Sequence, residues 1–123
     1  MRLVRIGYWR NESAQGWPDV RRFIDSDWDS GERERVSNHL HRGFVARAYL
    51  GKSHCRVCGE ANGALELSDG VFIWPEGLAH YVDVHHVRLP ARFVEHVDQW
   101  SAEIENAEVD EEWWRNQVSL DVI

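Results

Sequence analysis

The chain has 123 residues, of which 43% are hydrophobic and 28% are charged, and this composition is typical of one ordered globular domain. Its net charge of −7 and pI near 5.4 argue against a protein that binds nucleic acid mainly through phosphates, because an acidic surface repels them. The basic start lacks the apolar run of a signal peptide, and no segment is apolar enough to span a membrane. We therefore expect a cytoplasmic protein.

Residues 1–43 are predicted to form a helical N-terminal part after a short strand at residues 3–6. Pro18 is suited to the first turn of a helix, and the apolar residues that follow it recur at near-helical spacing as far as Trp28. Asp29 is predicted to cap a second helix, with Glu32 three residues later and Gly43 at its end. Two N-terminal helices are therefore expected.

His39 and His41 form a His-x-His pair in the second of these helices. Two residues apart on a helix, they point in different directions. This arrangement favours solvated or capping histidines over a second metal site.

The middle of the chain, residues 44–90, carries the metal-binding pattern. A strand at residues 44–50 leads into Cys55-x2-Cys58-Gly59, and these are the two cysteines of the sequence. Twenty-one residues lie between the second cysteine and His80, and then come the neighbours His85 and His86. A Cys-x2-Cys turn followed by two histidines with four or five residues between them is a zinc-finger pattern, although the insert exceeds the usual ~12 residues.

The insert predicts a β-hairpin followed by a helix. Apolar residues at 64–67 and 71–74 flank Asp69-Gly70, which is a strong hairpin signal. Pro75 and Glu76 are then expected to open a helix that runs to about His85. A knuckle, a hairpin and a helix that carries the second ligand pair occur in this order in a treble-clef zinc finger.

Other interpretations of the two cysteines are small buried side chains, a disulfide or a redox pair, but none of them explains the histidines. The spacing favours one zinc ion held by Cys55, Cys58, His80 and His85. His86 remains an alternative fourth ligand, although a six-residue step points away from the face of His80. Four protein ligands make a structural site.

Residues 91–123 are predicted to form acidic C-terminal helices, with two Lys and Arg against nine Asp and Glu. An apolar stripe from Phe93 through Val97 and Trp100 to Ile104 predicts an amphipathic helix that packs on the core. Adjacent tryptophans at 113 and 114 follow the acidic run, and they cannot both face inward on a last short helix. One of them is expected to be exposed, unless it packs on Trp17 or Trp28.

The segments 49–59, 62–70, 74–82 and 85–90 closely resemble a family of small, uncharacterised bacterial zinc-binding proteins. The motifs that carry the resemblance are Cys-x2-Cys-Gly, Trp-Pro-Glu-Gly-Leu-x-His-Tyr-Val and His-x-Val-Arg-Leu-Pro, and the resemblance covers about half the chain. The resemblance implies a single zinc with a Cys/Cys/His/His set whose last member is His85, while His86 falls at a variable position. It implies no activity.

The sequence as a whole predicts a small zinc-stabilised α+β domain in which N- and C-terminal helices flank the knuckle, hairpin and helix. We expect it to act through a protein partner, as an adaptor, a regulator or an immunity-type protein. Two alternatives remain open: a zinc-dependent hydrolase or nuclease with Glu76 or His86 as general base, and a nucleic-acid-binding finger. The absence of Lys and Arg from residues 78–86 disfavours the second.

Overall fold

A computed structural model of the chain describes residues 1–120, with the backbone alone at positions 49, 50, 119 and 120, so the last three residues of the predicted tail lie outside it. The described residues form a mixed α+β structure around one hydrophobic core, as expected. The strands are β1 (Val4–Arg5), β2 (Phe44–His54), β3 (Ala61–Ser68) and β4 (Phe72–Pro75). The helices are α1 (Ser30–His41), α2 (Leu78–His85), α3 (Ala91–Glu105) and α4 (Glu112–Arg115), with 3₁₀ helices at Val20–Phe23 and Asn116–Leu120.

The predicted hairpin is confirmed as the centre of the sheet, whose strand order is β1-β4-β3-β2. β3 pairs antiparallel with β4 in the predicted hairpin, and β2 pairs antiparallel with β3. β1 pairs in parallel with β4. In the turn, the Asp69 carboxylate accepts hydrogen bonds from the backbone N–H groups of Val71 and Phe72 through Oδ1, at 2.9 and 2.8 Å. The turn is thus stabilised by its own aspartate.

Helix α1 begins where its cap residue was predicted. The Asp29 carboxylate accepts a hydrogen bond from the Glu32 N–H at 2.9 Å, while Val36 and Leu40 face the core and are fully buried. The chain then passes close to the buried ring of Trp74: a Cβ at Gly43 would lie 2.7 Å from that ring. A glycine is therefore needed where the chain passes from α1 to β2.

The predicted helix from Pro18 to Trp28 is wrong, and a single 3₁₀ turn at Val20–Phe23 replaces it. Ile24 leaves the turn in an extended conformation and forms an isolated bridge with Val87. Beside this bridge, the Arg88 N–H donates to the Phe23 carbonyl at 2.8 Å. Pairing with a distant segment therefore overrides the local helical spacing.

The ligand-bearing helix starts later than predicted but ends at the expected residue. Pro75 belongs to β4, where it pairs with Glu66, and Gly77 is the residue before the first turn of α2. The prediction that Pro75 and Glu76 open the helix is therefore wrong. α2 ends at His85, as predicted, and His86 follows in the left-handed conformation with φ 53°.

Only the first half of the C-terminal part packs against the hydrophobic core. Phe93, Val94 and Val97 of α3 are buried against the core, whereas the Ile104 side chain is 64% exposed. On α4, Trp113 and Trp114 are 67% and 71% exposed, and their rings stack on each other with centroids 6.2 Å apart. Both tryptophans, rather than one, therefore face solvent. None of the helices within residues 1–120 is long and apolar enough to cross a membrane.

Candidate metal centre

The knuckle is a tight loop at the end of β2. The Cys55 N–H donates to the Glu60 carbonyl at 2.8 Å, and the Gly59 N–H donates to the Cys55 carbonyl at 2.9 Å. Gly59 has φ 78°, in the region that favours glycine, which explains the glycine behind the second cysteine. The Val57 N–H points at the Cys55 sulfur at 3.4 Å. The loop thus turns both thiols to one side.

Helix α2 supplies the two histidines, and two contacts hold it against the knuckle and the hairpin. The hydroxyl of the buried residue Tyr81 accepts a hydrogen bond from the Arg56 N–H at 2.8 Å. The Glu76 carboxylate, just before α2, accepts from the backbone N–H groups of Ala64 and Leu65 in β3. Strand, knuckle and helix are therefore fixed relative to one another by the chain's own polar groups.

The structure brings together the four predicted ligands. One ligand atom from each of Cys55, Cys58, His80 and His85 lies within 4.8 Å of the other three. The Cys58 sulfur is 3.4 Å from His80 Nε2. Tetrahedral zinc with ordinary Zn–S and Zn–N bonds places such a pair about 3.6 Å apart. The four residues are therefore close enough to hold a metal ion with little rearrangement.

His85 gives a further indication of a metal site. Its Nε2 atom is buried and has no hydrogen-bond partner among the described residues. A buried ring nitrogen of this kind is normally hydrogen-bonded or bound to a metal. A metal ion between the cysteines and His80 would satisfy it.

In the metal-free cluster, the surroundings of His85 and Cys58 favour the neutral form of both side chains. Burial, and then the neighbouring His80, lower the pKa of His85, so its ring is held in the neutral form that a metal requires. A hydrogen bond from the Glu60 backbone lowers the pKa of Cys58, but desolvation and the adjacent Cys55 thiol outweigh it and raise the pKa overall. Two thiols side by side resist ionisation until a cation joins them.

His86, the alternative ligand, is absent from the cluster. Its left-handed backbone ends α2, and its carbonyl accepts a hydrogen bond from the Asp25 N–H at 2.9 Å. This residue therefore ties the end of α2 to the N-terminal part. Glu76, one of the two candidate general bases, has its carboxylate occupied by the backbone of β3.

A second cluster was missed by the sequence analysis. His39 Nε2 and His96 Nε2 both lie 2.7 Å from Oδ2 of Asp69. His39 is only 9% exposed, so the expectation that it is solvated is wrong, whereas His41 is 61% exposed and lies near Asp83, as a surface residue. The three residues come from α1, the hairpin turn and α3, and no spacing in the sequence links them. The one local signal for any member of this cluster is the Asp69-Gly70 turn, which predicts the hairpin but not the contact with the histidines.

Burial alone would raise the pKa of Asp69, but hydrogen bonds from His39, from the Phe72 and Val71 backbone and from His96 outweigh it. Its pKa is held well below the ordinary range, and the carboxylate is ionised at neutral pH.

Comparison of the chain with protein-family models, curated proteins and solved structures gives no match. The function is therefore inferred from the residues themselves.

Proposed function

We propose that the protein is a small zinc-stabilised module in which Cys55, Cys58, His80 and His85 hold one structural Zn²⁺. The observation that carries the proposal is the convergence of two thiols and two imidazoles within 4.8 Å. Thiolate and imidazole together are a ligand set that zinc prefers, and four protein ligands leave no position for a reacting water. The zinc-binding family that the sequence resembles has the same ligand set.

We also assign the knuckle, hairpin and α2 to a treble-clef-like unit. Its support is the order of the elements. Cys55 and Cys58 come directly after β2; the hairpin of β3 and β4 is next, and α2 then supplies the two histidines. Because the four ligands converge only in the folded chain, zinc binding is coupled to folding of this unit.

The proposed role of the module is to bind a protein partner through its acidic tail. Residues 103–112 carry six acidic side chains, and the exposed rings of Trp113 and Trp114 follow them. Tryptophan is enriched among the residues that dominate binding energies, and surrounding acidic groups select a basic partner. The tail thus combines an aromatic anchor with a charge that steers association.

The zinc assignment is tested by metal analysis of protein purified without added metal. About one zinc per chain is expected in the wild type, with loss of zinc and of much of the folded structure in Cys55→Ser or His80→Ala. A well-folded, metal-free Cys55→Ser protein would contradict the proposal.

The contact role is tested by affinity capture from an extract of the cells that make the protein, followed by binding measurements with the purified partner. The Trp113→Ala, Trp114→Ala double variant should lose the partner while keeping zinc and secondary structure. Gln117→Ala, on the following turn, is the matched control and should bind as the wild type does. Full binding by the double variant, or by a chain ending at residue 102, would remove the tail from the interface.

A further inference from the structure

The cluster of His39, Asp69 and His96 lies apart from the Cys2His2 site and has no part in the proposed function. We propose that it is a second metal site, of the two-histidine, one-carboxylate type, for a divalent transition-metal ion. Two groups of three or more His, Cys, Asp or Glu side chains within residues 1–120 are placed to hold an ion. One is the Cys2His2 cluster, and the other is this one.

The geometry is that of ligands directed at one point. Two imidazole Nε2 atoms approach the same carboxylate oxygen, each at 2.7 Å, and the three atoms lie within 4.8 Å of one another. Asp69 Oδ2 offers lone pairs, and each neutral histidine offers one at Nε2 once the proton that Nε2 donates to Asp69 has moved to Nδ1. An ion with bonds of about 2.1 Å needs neighbouring ligand atoms roughly 3 Å apart. Small outward shifts of the two rings would therefore admit it.

The carboxylate is already oriented for this role. Asp69 Oδ1 is held by the backbone N–H groups of Val71 and Phe72 in the hairpin turn, which leaves Oδ2 to the histidines. A coordinating carboxylate is usually fixed in this way by hydrogen bonds from behind. The turn therefore serves as the outer support of the ligand.

The histidine rings are held by aromatic neighbours. The His96 ring centroid lies 4.8 Å from that of Phe72, and the His39 ring packs edge-on against Phe93 at 5.8 Å. The side chains of His39, His96 and Asp69 are 9%, 16% and 6% exposed. Such packing restricts the ring orientations and excludes most of the water that would compete for the ion.

One side of the cluster remains open. His39 and Asp69 line a cleft of about 500 Å³ whose walls include Arg42, Phe44 and Trp100. Three protein ligands do not fill the coordination sphere of zinc, iron or manganese, so water or an anion entering from the cleft would complete it. This open shell distinguishes the site from the closed Cys2His2 site.

The test is a metal count on the full chain with the first zinc in place. After dialysis against micromolar Zn²⁺, the wild type should rise from about one to about two ions per chain. Asp69→Asn, which keeps a hydrogen-bond acceptor for the turn, and His96→Gln should remain at about one ion per chain. In both variants the affinity for the second ion should fall at least ~10-fold. His41→Asn is the matched control on α1 and should still bind two.

A second readout needs no variant. Co²⁺ added to the zinc-loaded wild type should give weak visible bands without thiolate-to-cobalt charge transfer, because the second site contains no sulfur. Several results would overturn the proposal: a wild type that stays at one ion, an Asp69→Asn chain that binds two, or an intense thiolate band that places cobalt at Cys55 and Cys58. Circular dichroism and retention of the first zinc establish that each variant is folded, and the cobalt spectrum decides the question if neither variant folds.

Discussion

Replacing His85 by alanine tests the fourth ligand of the Cys2His2 site, the one position for which the sequence leaves an alternative, His86. Structural zinc sites bind with an apparent free energy of about 10–16 kcal/mol, or about 2.5–4 kcal/mol per ligand when divided over four. A loss of this size weakens zinc binding roughly 60- to 700-fold. Water can enter the vacated fourth position and recover part of the loss. We therefore expect a loss near 100-fold.

The measurement is competition for zinc with a chromophoric chelator, combined with thermal unfolding. His85→Ala should give up its zinc at a chelator concentration that leaves the wild type loaded, and its melting temperature should fall further when chelator is present.

His86 offers the matched control, because it is the next residue and its backbone φ is 53°. Glycine adopts this conformation without the cost that other residues incur, so His86→Gly should fold and keep its zinc. Equal zinc affinity in His85→Ala and the wild type, or a loss confined to His86→Gly, would refute the assignment of the fourth ligand.

Three further outcomes follow from the described contacts. Gly63→Ala should destabilise the fold by at least about 2 kcal/mol in urea unfolding, because Gly63 has φ 120° and a Cβ there would collide with the Glu76 side chain. Zinc binding at pH 7 should release about one proton or more, seen by calorimetry in buffers of different ionisation enthalpy, because the raised pKa of Cys58 keeps its thiol protonated until the metal binds. Trp113→Ala with Trp114→Ala should change the unfolding free energy by less than about 0.5 kcal/mol, since both rings are exposed.

Control variants are available for the first and the last of these outcomes. Gly16→Ala, where an added Cβ meets nothing within 4 Å, should be nearly neutral. Trp74→Ala removes a fully buried ring and should cost about 3–5 kcal/mol, in contrast to the tail tryptophans. A neutral Gly63→Ala, a zinc affinity independent of pH between about 6.5 and 7.5, or a tail variant as unstable as Trp74→Ala would each contradict the corresponding argument.

Local signals predicted the parts of the fold that depend on neighbouring residues. Asp29 caps α1 through the N–H of Glu32, three residues away, and Asp69-Gly70 closes a hairpin between adjacent strands. The Cys-x2-Cys turn and the histidine spacing are local in the same sense. The convergence of these four side chains could therefore be expected from the sequence alone.

The errors arise where distant segments decide the conformation. Ile24 leaves its helical pattern because Val87 offers a partner, and Glu76 faces β3 instead of the start of α2. His39 is buried because Asp69 and His96 meet it from two other elements. No periodicity within one segment carries that information, since each contact spans many residues.

Strand β3 separates the His39, Asp69 and His96 cluster from the Cys2His2 cluster by its own length. Asp69 lies at its turn, while the knuckle follows His54, which pairs with Ala61 at the opposite end of β3. Eight residues of extended chain span roughly 25 Å. Over such a distance the direct Coulomb interaction between the two clusters is weak, and the sheet that both share is the route by which they can be coupled. Loss of an ion at one cluster is therefore felt at the other mainly through the folding of the sheet that both share.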